Sequence, residues 1–358
     1  MTLSLTFPHD KTPEPGVTVE LAPGVEWLRM PLPFALNHIN LWLLADGEAT
    51  GGQQPSVAVD TGFSQPVVKE AWQRLLASRK LTRLIVTHFH PDHLGLAAWL
   101  QAETDAPLWM SQGDFLAAHL VAGGVGAQSM DSMLSFFRQH GLDESRIGEM
   151  ERRGNSYKAG VPEIPATFNR LFDQQHIQIG AHTWRTIAGY GHAPEHMALY
   201  CDDLQVLISG DMLLPSITTN VMVNAASPNS NPLKWFLDSI ERFRDLPENT
   251  LVLPSHGKPF RGLQLRLDQL HAHHANRCRL LREACVEQAH SAAELIPVLF
   301  DRPIPDPHQT MFAMGEAIAH LNYLEQAGEI RRTSHSLSHS LNRPFNRAET
   351  DIIRYHSC

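Results

Sequence analysis

Six consecutive residues, His88-Phe89-His90-Pro91-Asp92-His93, offer three imidazoles and a carboxylate from one short segment. On extended backbone, side chains two apart leave the same face, so His88 and His90 project together. Asp92 and His93 follow at once in a tight turn. Neutral imidazole nitrogen and carboxylate oxygen are ligands that suit zinc and related divalent ions, held at about 2.0–2.2 Å. One ion cannot comfortably take all four groups from six residues. The spacing instead distributes them over two adjacent ions.

Further polar residues stand just past the ends of apolar, β-branched runs that read as strands. Asp60 closes the run 56–59, and His88 itself follows 81–87. His192 follows the run 183–187 within Gly191-His192-Ala193-Pro194-Glu195-His196. Asp211 closes 205–208 within Ser209-Gly210-Asp211, and His256 closes 250–253 within Pro254-Ser255-His256-Gly257. Ligands bind at the carboxyl ends of strands in open α/β sheets, so such residues converge. The adjacent glycines let backbone approach closely at each turn. Additional strands are expected at 39–45, 107–110, 177–179 and 198–201. Helices are expected at 65–78, 94–102 and 232–244, where apolar residues recur at helical spacing. Strands inside and helices outside make a layered α/β architecture.

The H-x-H-x-D-H segment, with Asp60, His192, Asp211 and His256 in order after strands, resembles the metallo-β-lactamase-fold hydrolases. The resemblance runs from about residue 37 to 259. It implies a four-layer αββα sandwich with the site at one edge of the sheets. It also implies that His88, His90 and His192 hold one metal, and that Asp92, His93 and His256 hold a second. Asp211 would bridge both ions, and Asp60 would orient a ligand rather than bind metal, as carboxylates behind a metal site commonly do. His196 reads as structural or as a similar orienting group. Asp211 stands where the β-lactamases of this fold generally carry Cys or Ser, which disfavours penicillin-type hydrolysis. His90 in place of Glu disfavours the oxygen-reducing di-iron relatives.

The pattern looks like the glyoxalase-II, lactonase and phosphodiesterase branches. The implied mechanism places two cations about 3.5–4 Å apart, sharing a water acidified towards neutrality. The resulting hydroxide attacks an ester, thioester, lactone or phosphodiester, and a metal stabilises the developing oxyanion. Asp92 and Asp211 are the catalytic candidates, Asp92 as a proton shuttle. Zinc is the expected metal, with iron or manganese accommodated by the same ligands.

The rest of the chain bounds this reading. Its 358 residues suggest about two domains, and a boundary is expected near 262. A catalytic domain would span 1–262, with a helical insertion at about 111–168, and a helical, winged-helix-like domain 263–358. The formal charge of -9 argues against a general nucleic-acid binder. No apolar run approaches the roughly 18 residues of a membrane span, and residues 1–16 lack the apolar core of a secretory signal. The four cysteines show no C-x-x-C spacing. A reduced, cytoplasmic protein without disulfides is expected.

Residues 316–324 resemble the winged-helix tail of some family members, one branch of which cleaves RNA. Yet residues 310–328 contain no Lys or Arg, while Met311, Met314, Ile318 and Leu321 form an apolar stripe. A packing, pocket-wall or dimerisation role is therefore favoured over nucleic-acid binding, with Arg331, Arg332 and Arg343 as the argument for the alternative. The expected partner is a small acyl substrate. In the insertion, Phe136, Phe137, Tyr157 and Phe168 read as core rather than as a pocket lining. His271, His273, His274, His335 and His339 read as solvated faces and tail residues.

Overall fold

The computed structural model describes residues 4–9, 11–304, 306–334 and 352–358; His335, His339 and Arg343 lie outside them. The chain divides into two compact units. The first comprises residues 1–122, 156–219 and 236–269, and the second residues 123–155, 220–235 and 270–358.

The first unit holds two sheets. One contains β1 (Thr18–Ala22), β2 (Val25–Pro31), β3 (His38–Ala45), β4 (Gln54–Val59), β5 (Arg79–Ile85), β6 (Leu108–Met110) and β7 (Asn169–Arg170), in that order. Its first four strands pair antiparallel, and β4 to β7 pair parallel. The second contains β8 (His176–Ile179), β9 (His182–Gly189), β10 (His196–Cys201), β11 (Val206–Gly210) and β12 (Leu251–Pro254). It is antiparallel except for the β11–β12 pair.

The middle of the first sheet is buried on both faces, which is why β3 reads Ile-Asn-Leu-Trp-Leu-Leu instead of alternating with polar residues. Leu41 and Leu43 join a core against helices, with Val68, Ala71, Trp72 and Leu100. Trp42 and Leu44 join a core shared with the second sheet, including Trp184, Met197, Leu199, Val206 and Leu253. The period-two pleat thus sorts one strand into two cores.

The helix Pro66–Leu76 begins with proline at its first position, where the missing N–H costs nothing. It buries Val68, Ala71, Trp72 and Leu75, one stripe at helical spacing. On the second sheet, Arg242 donates to the Ala188 carbonyl and Ser239 accepts the Tyr190 N–H at 2.9 Å, tying residues 236–244 to the end of β9. The result is helix, sheet, sheet, helix.

In the first unit, β1, β2 and β7 fall outside the expectations. The helix expected at 94–102 is two pieces, Pro91–Leu94 and Ala97–Thr104. The last part of the insertion expected at about 111–168 includes the short helix Tyr157–Gly160.

The second unit is helical. Met130–Gln139 and Glu144–Arg153 are capped by Ser129 and Asp143, and Ala292–Leu299 by a reciprocal Ser291–Glu294 box. Pro307–Gln326 is capped by Asp306 and buries residues 313–322 continuously. The strands β13 (Ile330–Ser334) and β14 (Ile353–Ser357) pair antiparallel. Phe136 and Phe137 are buried here, and in the first unit Phe168 stacks on Phe115 at 4.0 Å, so these aromatics pack as core. His274 corrects its expectation: it is buried, against His320, and is not a solvated face residue. Cys201, Cys278 and Cys285 are buried thiols and Cys358 an exposed one. Among the described residues no helix is long and apolar enough to cross a membrane.

Candidate metal centre

The strand ends of both sheets meet over one polar cluster, made entirely of residues in the first unit. His88, His90, His192 and Asp211 form one group of donors, and Asp92, His93 and His256 a second. Within each group one donor atom from every residue lies within 4.8 Å of the others. The structure therefore brings all seven residues together, drawn from the turns after β5, β9, β11 and β12.

In the first group, His88 Nε2 lies 3.0 Å from His90 Nδ1 and 3.1 Å from His192 Nε2. Burial keeps His88 well below the ordinary imidazole range, and burial with the neighbouring His192 holds His90 at about 3. Neutral ring nitrogens converging this closely suit a shared cation. In the second group, His256 Nε2 is 3.3 Å from Asp92 Oδ2, and His93 Nε2 is 3.7 Å from the same oxygen.

Asp211 addresses both groups. Its Oδ2 lies 3.4 Å from His192 Nε2, and its Oδ1 lies 3.4 Å from His256 Nε2 and 3.6 Å from His93 Nε2. Burial opposes ionisation of Asp211, but His256 and His93 hold its carboxyl well below the usual range. Burial likewise opposes charge on His93, yet Asp60, Asp92 and Asp211 hold it up at about 10. Such a field attracts cations. His93 Nε2 and Asp211 Oδ1 are moreover buried without a hydrogen-bond partner. Buried polar atoms are rarely left so, and a metal ion between them would satisfy both. The donor set fits a pair of divalent ions.

The remaining ring nitrogens are assigned by their partners. Asp60, buried and in the left-handed region at φ 63, accepts from His93 Nδ1 at 2.8 Å. Its other oxygen accepts the Thr87 N–H at 2.8 Å. The Thr87 hydroxyl lies against both Asp60 oxygens and 3.0 Å from His88 Nδ1. His256 Nδ1 donates to the His38 carbonyl at 2.8 Å. With Nδ1 protonated in each, the Nε2 atoms of His88, His93 and His256 are left to bind metal. His196 lies behind the ligands: its Nε2 accepts the Asp211 N–H at 3.2 Å, and a Cβ at Gly210 would collide with it.

Thr87, His38, Asn40 and Asp114 belong to this scaffold and were not singled out from the sequence. Asn40 carried a signal, as a lone amide inside an apolar strand. Asp114 sits in the first turn of Gln112–Gly123, where an acidic residue usually only complements the helix dipole. It is buried instead, and burial pushes its carboxyl up to about 6 against the hydrogen bonds from the Phe89 and Glu195 amides.

Residues 51–256 match the metallo-beta-lactamase superfamily, and residues 278–338 match the metallo-beta-lactamase-like C-terminal domain. The crystal structure of a beta-lactamase domain protein from Burkholderia ambifaria is 42% identical, with a TM-score of 0.87, over 99% of this chain and 98% of that one. A probable metallo-hydrolase of Bacillus subtilis is 23% identical over 310 residues, 83% of this chain and 91% of that protein. A hydroxyacylglutathione hydrolase of Albidiferax ferrireducens is 40% identical over 81 residues, 22% of this chain and 28% of that protein. With the metallo-beta-lactamase match spanning more than half its length and a two-metal donor set at the strand ends, the chain belongs to the metallo-β-lactamase superfamily, as a hydrolase of that fold.

Proposed function

We propose that the chain hydrolyses an ester, thioester or lactone bond in a small or medium-sized acyl substrate. The observation that carries this is the Asp211 carboxylate, whose two oxygens face two separate donor groups. Two divalent ions bound there supply an acidified water and a Lewis acid for the carbonyl oxygen. His88, His90 and His192 would hold one ion, and Asp92, His93 and His256 the other, with Asp211 common to both. Five imidazoles and two carboxylates suit zinc, and iron or manganese accept the same donors.

The protein's own groups do the positioning. Asp60 and Thr87 fix the tautomers of His93 and His88, so both rings stay aimed without reorganisation during the reaction. Asp92 is the partly exposed carboxylate of the set, and His93 and His256 hold it ionised against the effect of burial. As the carboxylate of the set nearest solvent, Asp92 is the group that would shuttle a proton out of the site. The acyl substrate class is supported by the local likeness to a hydroxyacylglutathione hydrolase, while Asp211 at the shared position supports two-ion hydrolysis of either an acyl or a phosphodiester bond.

Nucleic-acid cleavage is the competing reading. The helix Pro307–Gln326 argues against it, being buried along residues 313–322 and free of Lys and Arg over 310–328. The test is a panel of thioesters, lactones, phosphodiesters and RNA offered to metal-reconstituted protein. Turnover of a thioester or lactone is expected. Cleavage of RNA alone would overturn the proposal.

A further inference from the structure

Asp114 ties together the two loops that bring in the first group of imidazoles. Its Oδ1 accepts the Phe89 N–H at 2.9 Å, and Phe89 is the spacer between His88 and His90. Its Oδ2 accepts the Glu195 N–H at 2.8 Å and the Ser111 hydroxyl at 3.1 Å, and Glu195 lies just past His192. A return tie runs the other way, from the Gly113 N–H to Glu195 Oε2 at 2.9 Å. The loops approach so closely that a Cβ at residue 113 would lie 3.0 Å from Glu195 Cβ. Tyr157 completes the hold by donating its hydroxyl to the Phe89 carbonyl at 2.6 Å. The peptide groups on both sides of the spacer are therefore fixed, one by Asp114 and one by Tyr157.

A buried carboxylate is expensive to desolvate, and an apolar residue of similar size would often serve stability as well. What an apolar residue could not do is accept from two different loops at once. Neither bond touches the loops that carry Asp211 or His256.

We propose that Asp114 is a positioning residue that sets the spacing between the His88/His90 pair and His192, and thereby the affinity of one of the two cation sites. This rests on the reading of the centre as a two-ion site. Asp114→Asn is nearly isosteric but turns an NH₂ towards one of the amide donors, so one tie becomes a donor facing a donor.

The test titrates metal-stripped protein with Co(II), following absorption of the bound ion and the heat of binding. The variants H192A and H256A assign the two binding events to the two donor groups. Asp114→Asn is expected to weaken the event lost in H192A on the order of 10–100-fold, leaving the event lost in H256A within a few-fold of wild type. Its bound-cobalt spectrum should change for that first ion alone. Tyr157→Phe should weaken the same event by a smaller factor, and it carries the test should Asp114→Asn not fold. Wild-type uptake by the variants, or equal weakening of both events, would overturn the inference and leave the two-ion reading intact. Failure of the wild-type protein to take up two ions would overturn that reading as well.

Discussion

Asp211 Oδ2 lies 3.4 Å from His192 Nε2, while its Oδ1 lies the same distance from His256 Nε2, on the opposite side of the carboxylate. One side chain after β11 is thus placed to neutralise two cations. Replacing it with alanine removes the group common to both donor sets. Asp211→Ala is expected to lose bound metal and hydrolytic activity together, activity by at least about a hundredfold. Metal content measured by elemental analysis checks this. A variant retaining both ions would remove the bridging role.

Asp60 tests the layer behind the ligands. It holds the Nδ1 proton of His93 and sits at φ 63, where asparagine is tolerated and alanine is strained. Asp60→Asn should keep the fold and weaken the ion held by His93 by roughly 10–100-fold. Asp60→Ala should show the same loss plus a stability cost of about 1–2 kcal/mol from the left-handed backbone. Equal thermal stability of the two variants would contradict the backbone argument.

The ligands were legible because each stands directly after a strand, where residue type and position both carry information. His88, Asp211 and His256 follow β5, β11 and β12, and the runs that end there are apolar enough to be seen. Of the residues that orient them, Asp60 and His196 are legible, whereas Thr87, His38, Asn40 and Asp114 are not, because their roles depend on partners far away in the chain. Thr87 is one more β-branched residue until Asp60 is beside it, and His38 matters only through His256, 218 residues on. β2 escaped for a different reason. Val25 and Trp27 bury one face and Leu28 and Met30 the other, so the polar positions Glu26 and Arg29 fall out of phase and no single alternation marks the strand. His274 reads as solvated from its residue type alone, yet it shares a buried helical stripe with Leu270, Cys278 and Leu281, and His320 covers it from another helix.

That histidine pair makes the second unit sensitive to acid. His274 Nδ1 lies 3.1 Å from His320 Nε2, and His320 Nδ1 donates to the Glu316 carbonyl at 2.8 Å. Burial pushes both below the ordinary 6.5, His274 to about 2 with His320, His273 and Arg277 adding to it, and His320 to about 4 with Arg277 and His273 adding to it against the Glu316 carbonyl. The unfolded chain therefore binds these protons more readily, and stability rises with pH. The contribution is complete above about 6.5 and drains away as pH falls towards 4. Glu316, which burial raises to about 7 despite Arg277 and Asn220, acts in the opposite sense between 4.5 and 7. Comparing His320→Gln with wild type isolates one histidine from that background. Between pH 6.5 and 4 the wild type should lose up to about 3 kcal/mol more than the variant. Parallel melting-temperature profiles would show that His320 is not held neutral.

Asn40 joins the two sheets behind His256. Its Oδ1 accepts Trp27 Nε1–H at 2.8 Å, and its Nδ2 donates to the carbonyls of Pro254 and Gly257, each at 2.8 Å. The amide, wholly buried on β3, thus brackets His256 by the residues around it in the turn after β12. Asn40→Ala would strand one buried donor, one buried acceptor and one half-buried acceptor. Unsatisfied groups of this kind cost about 1–3 kcal/mol each, so a total near 3–5 kcal/mol is expected. Asn40→Asp keeps the volume and the acceptor for Trp27 but turns a second oxygen towards two carbonyls, and should be at least as damaging. Urea unfolding gives the stability, and cobalt uptake by the folded fraction should show a weakened ion at the Asp92, His93 and His256 group. An aspartate variant as stable as wild type would mean that donation from the amide does not hold this turn, and that Trp27 alone carries the contact.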